Sequence, residues 1–338
     1  MRRFVTSKTE FYAHQESTIR PPGEPVSLTE FAADVRTGLS KSDQKELYSK
    51  YLYDDLGSAL FDAITFLPEY GLTRADERLL RGHAADVAAM AGKPSVVVEL
   101  GSGSSGKARW ILAPMVEAGP VTYCPVDISE SALGRCEREL SLIESLKIVS
   151  LQRSYIDGLR DAVGLRTPGT PVLVLFLGST IGNFEPVAAE DFLIKLRNAL
   201  LPGDALYLST DLEKSVERMI VAYDDATGVT AAFNLNLLAR INRELGGNFN
   251  LSKFRHEARY DPDERRIEMH LRSLVDQRVT IGGNFIVQFQ HDETIWTESS
   301  YKFRLEDLRS LAMRTRFHCD VQWVDKEWPF AQTLLRAV

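Results

Sequence analysis

Glu99-Leu100-Gly101-Ser102-Gly103-Ser104-Ser105-Gly106 sets three glycines in G-x-G-x-x-G spacing. Glycines so spaced let a tight turn form and let backbone approach a ligand closely, although a purely structural turn reads the same way. Asp127, at the end of the next apolar segment, favours a ligand, because a carboxylate there can accept hydrogen bonds from a ribose diol. Nicotinamide dinucleotides and S-adenosyl-L-methionine (SAM) both carry that ribose. Two features favour SAM. Glu99 sets a carboxylate beside the glycines, which suits a sulfonium and an ammonium and repels a pyrophosphate. A second loop, Phe176-Leu177-Gly178-Ser179-Thr180-Ile181-Gly182-Asn183, follows a later apolar segment, at the edge where open α/β sheets take ligands. Asn183 reads alternatively as a turn former or a helix cap.

Both loops need a parallel sheet behind them. Consecutive β-branched residues over Ser95–Leu100 read as a strand buried on both faces. Val121–Asp127, Val172–Gly178 and Ala205–Leu212 follow in alternation with helices from about Glu130 and Ala188, and the Leu201-Pro202-Gly203-Asp204 turn separates helix from strand. Such alternation implies a doubly wound, Rossmann-like α/β sheet. Upstream, apolar residues at three-to-four spacing predict helix from Ser27 to about Ile64, a loop over Phe66–Gly71, and a helix over about Arg74–Ala91. Between Glu213 and Thr297 the rhythm changes to one long helix, Tyr223–Leu245, and then to alternating segments, which reads as an inserted α+β domain. A helix over Glu306–Arg314 and two strand-like segments after it can complete the first sheet.

The 338 residues carry 40 Lys and Arg against 47 Asp and Glu, a net charge of −7 that repels a phosphate backbone and argues against a nucleic-acid partner. Cys124, Cys136 and Cys319 lack C-x-x-C spacing, so neither a disulfide framework nor a zinc site is expected. The acid pair Asp224-Asp225 has no third ligand at metal-binding spacing, so no metal is expected. The basic first residues run into polar ones, and no apolar run spans a bilayer. A cytoplasmic protein with no membrane partner is expected, with residues 1–25 a mobile lead-in.

Six separated motifs carry a further resemblance: LPEYGLTRADE, VELGSGSSGK, FLGSTIGNFEP, YDDATGVTAAFN with NRELGGNF, ERRIEMHLRS and TESSYKF. From about Ser27 to Val338 the chain resembles the ergothioneine-pathway L-histidine Nα-methyltransferases. The resemblance implies a class I SAM-dependent methyltransferase core, residues 75–213 with 302–338, and a substrate-binding domain, residues 26–74 with 214–301. It also implies trimethylation of the α-amino nitrogen of L-histidine, through its mono- and dimethylated forms, to hercynine, leaving S-adenosyl-L-homocysteine; a monomer is expected, though nothing in the residues decides it. Carried over by motif, Gly101 and Lys107 line the cofactor and Asp127 holds its ribose; Glu99, Gly103 and Gly178 complete the cofactor set. Asn183 and Tyr223 match residues that grip the substrate carboxylate. Tyr70, Glu298 and Ser300 match those around the imidazole, and Tyr53 matches a tyrosine near the reacting amine. Where the family commonly has an acidic residue facing adenine, this chain has Ser154, whose hydroxyl can accept a hydrogen bond, and Tyr155, which can stack on the base.

Methyl transfer from a sulfonium is an in-line displacement, so aligning a neutral amine outweighs acid–base power. Tyr53, Asn183 and Tyr223 are the residues expected to do that aligning. Glu298 and Ser300, two apart on a predicted strand, share a face and can read an imidazole N–H, though alone they also fit a solvated strand face. Met269 packs beside the imidazole or simply in the core. Three alternatives stay open: the same fold acting on another amino acid or amine, a catalytically silent SAM binder, and a nicotinamide-dependent oxidoreductase.

Overall fold

The computed structural model describes residues 27–103 and 106–338. The lead-in expected over residues 1–25 lies outside the described residues. Helix Leu28–Leu39, capped by Ser27, buries Phe31, Val35 and Leu39. It does not run on to Ile64. Ser40–Gln44 offer no apolar face and their side chains compete for backbone groups, so the helix stops there. A two-residue strand β1 (Lys45–Glu46), a 3-10 turn (Ser49–Leu52) and helix Asp55–Thr65 follow. Helix Gly71–Met90 starts slightly earlier than predicted.

The parallel strands are β2 (Val96–Leu100), β3 (Thr122–Asp127), β4 (Lys147–Ile148), β5 (Leu151–Gln152), β6 (Val172–Phe176) and β7 (Ala205–Asp211). β2, β6 and β7 are buried along their whole length, as continuous apolar runs between two helical layers must be.

The long helix predicted over Tyr223–Leu245 is two helices, Val216–Tyr223 and Val229–Leu245. Asp225 breaks the run: its carboxylate accepts from the backbone N–H groups of Val229 (3.1 Å) and Thr230 (2.8 Å), so it caps a new helix. Strands β8 (Phe254–Asp261), β9 (Arg266–Ser273), β10 (Gln277–Ile281), β11 (Phe285–Phe289) and β12 (Thr294–Tyr301) come next. Their four-stranded sheet has the order β1-β12-β9-β8, and β10 and β11 form a separate hairpin. One hydrophobic cluster joins this sheet to the N-terminal helices, with Phe31, Tyr51 and Leu52 packed beside Phe233, Leu237 and Ile295.

After helix Leu305–Arg314, β13 (Phe317–Val324) and β14 (Phe330–Ala337) complete the large sheet in the order β13-β14-β7-β6-β2-β3-β4, with β5 beside β3. β14 runs antiparallel to both its neighbours. The carboxyl ends of β2, β3, β6 and β7 therefore face one side, with the second sheet folded over them: Leu212, just past β7, bridges Phe303, just past β12.

Candidate active site

The glycine turn leaves β2 as predicted. Gly101 and Gly103 have φ of 71° and 54°, backbone that other residues adopt only with strain. A Cβ on Gly101 would lie 2.9 Å from the Tyr155 hydroxyl. Asp127, at the end of β3, accepts from the backbone N–H of Gly103 (3.1 Å) and of Ser129 (2.9 Å), which fixes the turn against the neighbouring strand. Glu99 is buried with the Tyr123 hydroxyl donating to it, and burial pushes its carboxyl up to about 7 despite that bond.

Lys107 reaches Asp76 at 3.3 Å. Asp76 was not foreseen. It lies in the buried stripe of helix Gly71–Met90, among Leu72, Ala75, Leu79 and Leu80, and an acid in such a stripe is the signal that could have revealed it. Its carboxylate also accepts from the Gly178 N–H (3.2 Å), the Ser209 hydroxyl (2.7 Å) and the Gln332 amide (2.7 Å). One buried acid thus ties Lys107 to the Gly178 loop.

These residues suit SAM. Among the described residues, Lys107 is the cation that offsets the buried charge of Glu99, and the buried Ser102 hydroxyl has no oxygen or nitrogen partner, with the Cys136 thiol beside it. A cationic, polar ligand beside the turn answers both.

Ser154 caps helix Tyr155–Val163: its hydroxyl accepts from the Asp157 N–H (3.3 Å) and donates to the Asp157 carboxylate (2.7 Å). Tyr155 is buried against Phe176 and Phe192 with its hydroxyl under Gly101, so it supports the turn from behind and does not stand as an open stacking face.

Asn183 ends the 3-10 turn Thr180–Asn183 and is exposed. Ser179 begins that turn in the left-handed region, φ 60°, held by the Asp211 N–H donating to its hydroxyl at 2.8 Å. Gly182 lies so close to β12 that a Cβ would sit 2.9 Å from the Tyr301 carbonyl. Two residues beyond Asn183, Glu185 accepts from the Tyr301 hydroxyl, which in turn accepts from Arg266 at 2.6 Å. The Asn183 loop is therefore clamped to the second sheet.

On β12 a bulge falls between Trp296 and Glu298: Trp296 pairs with His270 and Glu298 with Met269, leaving Thr297 unmatched. The bulge turns Glu298 inward beside Met269. Tyr53 donates to the Glu298 carboxylate at 3.2 Å, which links the tyrosine expected at the amine to the acid expected at the ring. Burial pushes the Glu298 carboxyl up to about 7, opposed by the Tyr53 hydrogen bond and by Lys302. Burial likewise holds Tyr53, Tyr70 and Tyr223 well above the ordinary tyrosine range, so each hydroxyl keeps its proton and serves as a donor.

Tyr223 and Ser300, predicted at opposite ends of the substrate, touch: their hydroxyls are 2.7 Å apart. Lys302, unforeseen in the sequence, donates to Tyr223 at 2.9 Å and to Ser300 at 2.8 Å, and pairs with Asp211 at 3.0 Å. Tyr70 packs edge-on to Tyr223, ring centres 6.0 Å apart.

A parallel sheet with one antiparallel strand next to its edge, a glycine turn after its first strand and an acid ending the second define a class I methyltransferase. Its particular family follows from sequence. The profile of the histidine-specific, SAM-dependent methyltransferases matches residues 31–337, and the chain belongs to that family. It is 40% identical to the histidine N-alpha-methyltransferase of Mycolicibacterium smegmatis, covering 89% of this chain and 93% of the relative. It is 39% identical to that of Mycobacterium tuberculosis, covering 92% and 96%. Ergothioneine biosynthesis protein 1 of Neurospora crassa is 28% identical over 76% of this chain and 31% of its own length.

Proposed function

We propose that this protein transfers three methyl groups from SAM to the α-amino nitrogen of L-histidine, giving hercynine, as the first step of ergothioneine biosynthesis. The observation that carries the reading is a pair of buried polar groups on and around β12: Glu298 with Tyr53, and Ser300 with Tyr223 and Lys302.

When bound, SAM supplies the electrophilic methyl group of a sulfonium. Asp127, Glu99, Lys107 and the backbone of Gly101, Gly103 and Gly178 are the groups that would hold it. Glu298 accepts the imidazole N–H, with Met269 against the ring. Asn183 and Tyr223 grip the carboxylate, with Tyr70 packed against Tyr223. The α-amine, with a reference pKa near 8, is neutral often enough in mildly alkaline water to attack without a strong base. Tyr53 keeps its proton and orients polar partners; it does not act as a base. Residues 26–74 and 214–301 serve as the substrate-binding domain, and 75–213 with 302–338 as the SAM-binding domain. Among the described residues no helix is long and apolar enough to cross a membrane, and the substrate is a small molecule.

The test is mass spectrometry of the protein incubated with SAM and each common amino acid in turn. A gain of three methyl groups on histidine alone is expected. A product from a different amino acid, or cofactor binding without turnover on any, overturns the reading.

A further inference from the structure

We propose that Lys302, Asp211 and Lys214 form a buried cationic cluster that neutralises the substrate's carboxylate, with Lys302 as the positioning residue acting through Tyr223. The proposal rests on the amino-acid reading of the site. Asp211 ends β7 and receives Lys302 at 3.0 Å on one oxygen and Lys214 at 2.6 Å on the other. The side chains of all three are at most 2% exposed. Burial opposes ionisation of Asp211, yet the two ammonium groups hold its carboxyl below the ordinary range. Burial pushes Lys214 down to about 8 against the pull of Asp211, so it remains largely charged at neutral pH. Two cations and one anion leave a net charge of about +1 in a dry environment, an arrangement that is costly unless an anion answers it.

The neighbouring groups do not supply that anion. Trp328 adds a further donor to Asp211 at 3.0 Å, and its ring lies under the Lys214 ammonium at 4.8 Å. Glu213 is taken by Arg304 at 2.7 Å and by Tyr260 at 3.2 Å. Glu298 feels Lys302 through space but makes its hydrogen bond with Tyr53, and burial pushes its carboxyl up to about 7, so it is only partly ionised near neutral pH.

The hydroxyls tell the same story. Tyr223 and Ser300 each accept from Lys302, and one of them donates to the other. The Tyr70 hydroxyl also hydrogen-bonds to Tyr223, so three neutral hydroxyls gather beside the Lys302 ammonium, and Asp211 is the carboxylate paired with it. A substrate carboxylate can accept from these hydroxyls and supply the missing negative charge together. Asn183 and Tyr223 are neutral, so the grip assigned to them needs this charge behind it.

Calorimetric titration of L-histidine and of L-histidinamide, with S-adenosyl-L-homocysteine present, tests the idea on the parent, Lys302→Met and Lys214→Met. The parent should prefer histidine. Both variants should lose about tenfold or more of histidine affinity while histidinamide affinity stays within about twofold, because only the acid form uses the charge. Lys214→Met leaves every contact of Tyr223 in place, so it isolates charge from hydrogen bonding and carries the test if Lys302→Met does not fold. Lys302→Arg should restore part of the preference. Equal losses for both ligands would reduce the cluster to a structural role and overturn the proposal. So would a parent that binds both ligands equally. If the parent prefers a different amino acid over its amide, the histidine reading falls. The cluster is then judged by that pair, standing if the variants erase the preference and falling if they do not.

Discussion

Replacing Glu298 by glutamine should make the unliganded protein more stable at alkaline pH while weakening its hold on histidine. The carboxyl is buried at 9% exposure and lifted from an ordinary 4.5 to about 7. Because the folded-state value is the higher one, the folded chain holds that proton more tightly than the unfolded chain does. Stability is therefore lost as pH rises from about 4.5 to about 7 and stays lost above it. A shift of that size corresponds to roughly 3 kcal/mol once the group is ionised. Glutamine fills the same volume, cannot ionise, and can still accept from Tyr53, though more weakly and without the attraction of Lys302. After that discount the variant should gain about 1–3 kcal/mol at about pH 8 and close to nothing at about pH 4.5. Thermal melts of parent and variant across that range, without ligands, measure the difference, which should appear as a few degrees at the alkaline end only. A difference that does not change with pH would refute the argument from buried charge. Histidine titration of the same proteins should reveal weaker binding by the variant despite its greater stability, since an amide accepts the imidazole N–H less strongly than a carboxylate.

Asn183→Ala should raise KM for histidine by about tenfold to a hundredfold through loss of a carboxylate contact, and the parent should turn over histidine methyl ester poorly; an ester that reacts as well as histidine would contradict the grip. Gly182→Ala forces a Cβ to within 2.9 Å of the Tyr301 carbonyl and so shifts Asn183; kcat/KM should fall by about tenfold or more while melting reports a cost of roughly 1–3 kcal/mol. Asp127→Ala removes the acceptor for the Gly103 and Ser129 N–H groups along with the predicted ribose contact. Calorimetry should find S-adenosyl-L-homocysteine bound more weakly by about 1–3 kcal/mol, and unchanged affinity would remove Asp127 from the cofactor site.

Local signals account for much of the site. The glycines after β2, the acid ending β3 and the loop after β6 all follow from short-range chemistry: backbone freedom, a carboxylate at a strand end, a turn after an apolar run. The alternating buried runs likewise determine the parallel sheet, because a strand apolar on both faces has to lie between helices. Three-to-four spacing was less decisive. It suits a continuous helix from Ser27 to Ile64 and from Tyr223 to Leu245, but the polar Ser40–Gln44 stretch ends the first, Asp54 caps the helix that follows it, and Asp225 divides the second. Only contacts between distant segments give those caps their weight, as where Asp54 also receives Asn236 at 2.7 Å.

What only the tertiary structure decided is which charges are buried together. Asp211, Lys214 and Lys302 look in the sequence like ordinary polar residues beside strand ends, and Asp76 shows only as an acid within an apolar helix stripe; each gains its partners because segments far apart in the chain close over it. The bulge at Thr297 belongs to the same class, since register is a property of two strands and Glu298 faces inward only because β9 sets where the pairing slips. Sequence by itself determined the sheet, the glycine turn after β2 and the residue types available to a site, because periodicity, glycine freedom and side-chain chemistry act over a few residues. Burial, pKa and mutual distance are set by neighbours contributed from the whole chain, and those are what gather a set of plausible side chains into buried, mutually bonded groups.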